Sequence, residues 1–229
     1  MVDEFNSIRD LFIPGEPNET HILYSWWTSL RSVEFRTSLY AGLIIQSISQ
    51  LCGFGVILYA KPIILSKAGS SSEVDSLSTL VLTLIGLMGN PLVNKSRIKM
   101  FLLVTLTVLG GDLLGFTCLM YFLSKGDPAD ENLYVVASIL IGVFLMAYTP
   151  GLGTGPWVYN VEAYKFKEKA LGIGLAATAR WILNVAVTSS LMKLIDAINF
   201  WGVVLLYFGF TCLGIISIWL LVPQANSAG

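Results

Sequence analysis

Six apolar runs, 38–60, 77–93, 100–123, 133–164, 170–192 and 200–222, make up most of this 229-residue chain. A hydrocarbon core of about 30 Å is crossed by roughly 20 residues of helix, so each run has the length, or nearly the length, of a membrane span. Inside a bilayer no water satisfies backbone N–H and C=O groups, and a helix satisfies its own. The fold class expected is therefore all-α, a six-helix transmembrane bundle. Composition agrees: 55% of residues are hydrophobic and 13% charged, against about 25% charged in soluble domains. A net charge of −1 with no basic stripe excludes a nucleic-acid partner, because nothing neutralises phosphates. Paired carboxylates, a histidine cluster and an activated nucleophile are all missing, so an enzyme is not expected. His21 stands alone, and Cys52, Cys118 and Cys212 sit in apolar runs without ligand spacing. They read as buried small hydrophobes, with no metal and no cofactor expected.

Lys and Arg set the expected orientation. One side collects Arg31, Arg36, Lys95, Arg97, Lys99, Lys165, Lys167 and Lys169; the other has Lys61, Lys67, Lys125 and Lys193. The richer side is expected to be cytosolic, and an even number of spans puts both termini there. The plasma membrane is the default location. The sequons at Asn18 and Asn94 fall on that side and should stay unmodified. Residues 1–37 form a polar cytosolic prelude in which Ile22, Trp26, Leu30 and Val33 recur at helical spacing. That spacing predicts one amphipathic helix, lying on lipid or under the bundle. Residues 223–229 form a short cytosolic tail.

The fourth run contains TPGLGTGPW, 149–157, with Pro150, Gly151, Gly153, Gly155 and Pro156. Were this a loop, 157–164 would be stranded before Lys165, too short to cross. The run is therefore one interrupted helix, about 48 Å long at 1.5 Å per residue. Broken helix at mid-bilayer must face protein or a watered cavity. Discontinuous helices of this kind hold substrate sites in secondary transporters; close helix packing on glycine is the alternative.

Gln46, Gln50 and Gly53 lie at i, i+4 and i+7 in the first run, with Ser49 beside them. Such a polar face points inward, bonding another helix or lining a wet path. Amides donate and accept, which suits a small neutral polyhydroxy solute. Asp112 and Arg180 lie within spans, where each costs at least about 2.5–3.5 kcal/mol unless paired or wetted. Arg180 either favours an anionic substrate or neutralises Asp112.

Two stretches together resemble the carboxy-terminal half, helices seven to twelve, of the sugar porter family in the major facilitator superfamily. LIIQSISQLCGFGVILYAKPIILSKAG, 43–69, is similar to its seventh helix, which reads Gln-Gln-Leu-Ser-Gly-Ile-Asn, then Tyr-Tyr, ending in Lys-Ala-Gly. GLGTGPWVYNVEAYKFKEKALGIGLAATARWILN, 151–184, resembles its tenth and eleventh helices, with Gly-Pro-Gly-Pro-x-Pro-Trp, a Glu, a basic residue and Asn-Trp. The resemblance implies a transmembrane sugar transporter, similar to facilitative glucose transporters, that moves a hexose by alternating access. It implies substrate contacts from Gln50, Tyr59 and Trp157, with Gln46, Ser49 and Thr149 nearby, and a gating hinge at 150–156. Glu162, Lys95, Arg97, Lys99 and Lys169 match a cytosolic charge network; a plain positive-inside anchor is the alternative. Several family groups are replaced: a glutamine by Ser49, an asparagine by Gly55, a tyrosine by Ala60 and a glutamate by Thr149. The family's two halves enclose the sugar, so a homodimer or an amino-terminal half is the expected partner besides the bilayer. A non-transporting, truncated or repurposed membrane regulator is the rival reading.

Overall fold

Backbone that must satisfy itself runs as helix here, interrupted only where a residue forbids it. A computed structural model of the chain describes residues 26–67, 77, 80, 81, 84, 97–125 and 131–222. In order these contain α1 (Val33–Leu51), α2 (Phe54–Lys67), α3 (Ile98–Lys125), α4 (Glu131–Tyr148), a π-helical segment (Thr149–Thr154), α5 (Gly155–Ala163), a 3-10 turn (Phe166–Glu168) and α6 (Lys169–Leu221). The described residues include no strand, and the fold is all-α. Four of their helical stretches are long and apolar enough to cross a membrane. The expected span 77–93 falls almost wholly outside the described residues, as do Lys95 and residues 1–25.

A short helix, 26–31, precedes α1 and ends at Ser32. Ser32 then caps α1, its hydroxyl accepting the Phe35 N–H at 3.2 Å, which satisfies one of the first-turn donors a helix leaves open. Trp26, Leu30 and Val33 of the predicted amphipathic stripe are exposed; Ile22 lies outside the described residues.

The first span is read from sequence as one helix over 38–60, but the structure divides it. Gly53 has φ +86°, a left-handed conformation that costs glycine little and other residues more, and α1 ends at Leu51, two residues before it. The chain resumes as α2, redirected. In α6 the break is at Asn199, φ 62° and ψ 165°, which separates an arm over 169–198 from one over 200–221. Asparagine tolerates positive φ better than most residues, yet this φ/ψ combination is essentially glycine's and stores about 1–3 kcal/mol. Asn199→Gly is expected to stabilise the fold by about 1 kcal/mol, read as a higher unfolding midpoint in detergent.

Around these breaks α1 packs mainly on α6 and α5, α3 lies against α6 and α4, and α2 against α4. Ile45, Ile57, Leu106, Leu109, Phe116 and Phe144 are fully buried between them. Trp181, Ile182, Val185, Leu213 and Trp219 are exposed, as lipid-facing side chains are. Lipid tails are as apolar as leucine, so helix contact rests on close approach rather than on water exclusion. Tyr164, after α5, shows it: a Cβ on Gly172 would lie 2.6 Å from its ring, and one on Gly42 would lie 2.6 Å from its hydroxyl.

Candidate functional site

The polar face of α1 meets a polar face of α6. Gln46 and Gln50 lie four positions apart, as do Arg180 and Asn184, so each pair occupies one helix face. Arg180 Nη1 donates to Gln46 Oε1 at 3.1 Å and to Ser49 Oγ at 3.0 Å. Asn184 Nδ2 donates to Gln50 Oε1 at 2.8 Å. Both pairings advance in step, so α1 and the first arm of α6 run parallel. Gln50 Nε2 donates to Ser49 Oγ at 3.4 Å, and Ser49 Oγ donates to the Gln46 carbonyl at 2.7 Å. The Tyr148 hydroxyl, at the end of α4, donates to the Ser49 carbonyl at 3.1 Å. Its ring stacks on Phe54 at 4.1 Å between centroids. Trp157 comes from α5, and the Arg180 guanidinium sits 5.6 Å from its ring centroid, within cation–π range. Gln46 is completely buried, yet its Nε2 has no hydrogen-bond partner among the described residues. An amide donor so placed costs about 1–3 kcal/mol if left unmet.

Thr149, Pro150, Gly151, Gly153, Gly155 and Pro156 occupy a widened turn. Pro150 and Pro156 lack the N–H a regular helix uses, and each ring crowds the carbonyl four residues back. The π-helical segment Thr149–Thr154 absorbs this without ending the helix, a device common at functional sites. The Thr149 hydroxyl is engaged by its own helix, donating to the Leu145 carbonyl at 2.8 Å. Gly151 and Gly155 face α3: a Cβ on Gly151 would lie 2.2 Å from Thr105 Cγ2, and one on Gly155 would lie 2.9 Å from Leu102. Gly153 has nothing so near, its closest neighbour being the Tyr148 carbonyl at 3.4 Å. One face of the break is thus a packing seam, and the α5 that follows carries Trp157 to Arg180.

Tyr59 does not join this cluster. It lies beyond the Gly53 break and lines a separate cavity of about 630 Å³ with Lys125, Asn199 and Trp201. Asp112 does not join it either. It is only 7% exposed, and neither carboxylate oxygen accepts a hydrogen bond from a described residue. Of the expected charge network, Glu162, Lys99 and Lys169 are half-buried and Arg97 is exposed. Lys99 Nζ donates to the Trp219 carbonyl at 3.0 Å, near the carbonyl end of α6, where cations are favoured. An ion pair outside that network joins Lys165 to Glu34 at the start of α1, holding the Lys165 ammonium above its ordinary range. Both side chains are exposed, so solvent screens the pair and its contribution is small.

Sequence reasoning missed Tyr148 and Asn184. The spacing Arg180-x-x-x-Asn184 repeats that of Gln46 and Gln50, and this match is the signal that was available. Nothing local marks Tyr148, whose role depends on where α4 meets α1.

Comparison with known proteins bears on this arrangement. The family model described as "Sugar (and other) transporter" matches residues 3–227. The chain is similar to Inositol transporter 4 of Arabidopsis thaliana, 39% identical over 46% of this chain and 18% of that protein. It is similar to Myo-inositol transporter 2 of Schizosaccharomyces pombe, 27% identical over 82% of the chain and 34% of the relative. The Arabinose-proton symporter of Escherichia coli (strain K12) is 26% identical over 83% of the chain and 42% of its own length. The chain spans less than half the length of these curated relatives.

Proposed function

The chain belongs to the Sugar (and other) transporter family, and on that premise we propose that it forms one half of a carrier for a monosaccharide or cyclic polyol. It is a transport protein of the membrane and not an enzyme. The solute class is a hexose or an inositol-like ring, in keeping with relatives named for inositol and arabinose. Transport proceeds by alternating access, against a second half supplied by another copy or by further chain. Both ends of this half lie in the cytosol, on the side rich in Lys and Arg.

The observation that carries the reading is the pairing of Arg180 and Asn184 of α6 with Gln46 and Gln50 of α1, with buried Gln46 Nε2 unmet by any described residue. Amides held by one another are preorganised, and a spare donor is what a ring hydroxyl accepts from. Trp157 offers an apolar face to the ring, and 150–156 is the hinge that moves it. Cytosolic contacts of Glu162, Arg97, Lys99 and Lys169 hold one of the two access states. Tyr59, in its own cavity, belongs to the outer end of the pathway.

The test is saturable uptake of labelled myo-inositol, arabinose and glucose by liposomes containing the chain, with equilibrium binding of the same solutes. Gln50→Ala is expected to weaken binding about tenfold, the effect of losing one or two buried hydrogen bonds. A folded chain that neither binds nor takes up any of them overturns the proposal.

A further inference from the structure

Among the described residues, Arg180 is a cation without a hydrogen-bonded anion. A guanidinium partly withdrawn from water within a span needs a counter-charge or hydration. Asp112, the partner suggested by sequence, accepts no hydrogen bond from it. Among the described residues, the groups seen to hold Arg180 are neutral: Gln46 Oε1, Ser49 Oγ and the face of Trp157. None of its contacts among the described residues is a carboxylate. Both bonds come from Nη1 and use that nitrogen's two protons, which leaves the N–H groups of Nε and Nη2 as the other donors of the fork. Gln46 Nε2, buried and without a partner among the described residues, adds a neutral donor beside it.

From this juxtaposition we infer that the site takes a sugar or cyclic polyol bearing a carboxylate, a hexuronate being the simplest case. The inference rests on the sugar-site reading above and adds a charge to it. A carboxylate accepts two parallel bonds from Nε and Nη2 of an arginine, a geometry that lysine does not offer. The ring hydroxyls are left for Gln46 Nε2, Gln50 and Asn184. A neutral sugar would fill the same space and leave the cation uncompensated, which is how a site built around a bonded partner rejects an analogue lacking it. A sugar phosphate would bring two charges to one cation.

The experiment is equilibrium binding of labelled glucuronate to the full chain in lipid nanodiscs near neutral pH. Competitors are glucuronamide, the uncharged counterpart of nearly the same shape, myo-inositol and acetate. Glucuronate is expected to bind about tenfold or more tighter than glucuronamide or myo-inositol, the difference of a charge-assisted pair. Acetate should not compete at comparable concentration. In Arg180→Asn the ratio of glucuronate to glucuronamide affinity should fall to about one; the wild-type comparison stands even if that variant fails to fold. Equal or tighter binding of glucuronamide or myo-inositol would overturn the charge requirement and leave the sugar site intact. Competition by acetate as strong as by glucuronate would overturn the sugar-acid assignment. Binding of no sugar, neutral or acidic, would remove the sugar-site reading and this inference with it.

Discussion

Gly151→Val is expected to destabilise the protein by about 3 kcal/mol, at the upper end of the cost of overpacking a close contact. Any Cβ there would lie 2.2 Å from Thr105 Cγ2, 2.5 Å from its Oγ1 and 2.8 Å from its Cβ. Rotating the threonine frees its γ atoms but not its Cβ, so the helices must separate. Packing contact is what holds them in lipid, and separation forfeits it along the whole seam. The measurement is the unfolding midpoint of the purified protein in denaturing detergent titrations. Thr105→Gly in the same chain should recover most of the loss and Thr105→Ala a smaller part, because only glycine removes the Cβ. Additive losses in the double variants would show that the contact with Thr105 is not the cause. Gly153→Ala, whose nearest neighbour is 3.4 Å away, should change stability by well under 1 kcal/mol if packing alone decides.

Asp112→Leu should act in the opposite direction. Asp112 is 7% exposed, and its carboxyl group accepts no hydrogen bond from the described residues. Burying such a group unmet costs about 1–3 kcal/mol. Leucine has the same branching and no polar atom, so the replacement is expected to stabilise by roughly 1–3 kcal/mol. Asp112→Asn should gain less, since its amide needs partners as well. The same unfolding titration reads both. Destabilisation by Asp112→Leu would mean that the carboxyl group has a partner beyond the described residues.

The helical class and the apolar runs were legible because a bilayer leaves the backbone one economical solution. The polar stripe Gln46, Ser49 and Gln50 was legible from spacing, and so was the oddity of Arg180 within a span. The interruption at 149–157 was legible as a break, since proline and glycine act locally. Its form was not: whether the chain turns, unwinds or widens into a π-helical segment depends on what packs beside it, here Thr105 and Leu102 of α3. The division of the first span at Gly53 was equally hidden. A glycine in an apolar run is compatible with continuous helix, and only its φ of +86° reveals the bend.

For the candidate site, sequence marked Gln46, Ser49, Gln50, Trp157 and Arg180 but not Tyr148 or Asn184, because amide, hydroxyl, indole and guanidinium are properties of single residues. It also determined the face each occupies, because helical periodicity is local. Tertiary structure decided the partners. Arg180 lies 68 positions after Asp112 and 134 after Gln46, and nothing in either separation chooses between them. The choice follows from α1 and the first arm of α6 running parallel, which sets Gln46 and Gln50 opposite Arg180 and Asn184. The same packing leaves Asp112 without Arg180 and puts Tyr59, expected from the resemblance to act with Gln50 and Trp157, in a separate cavity.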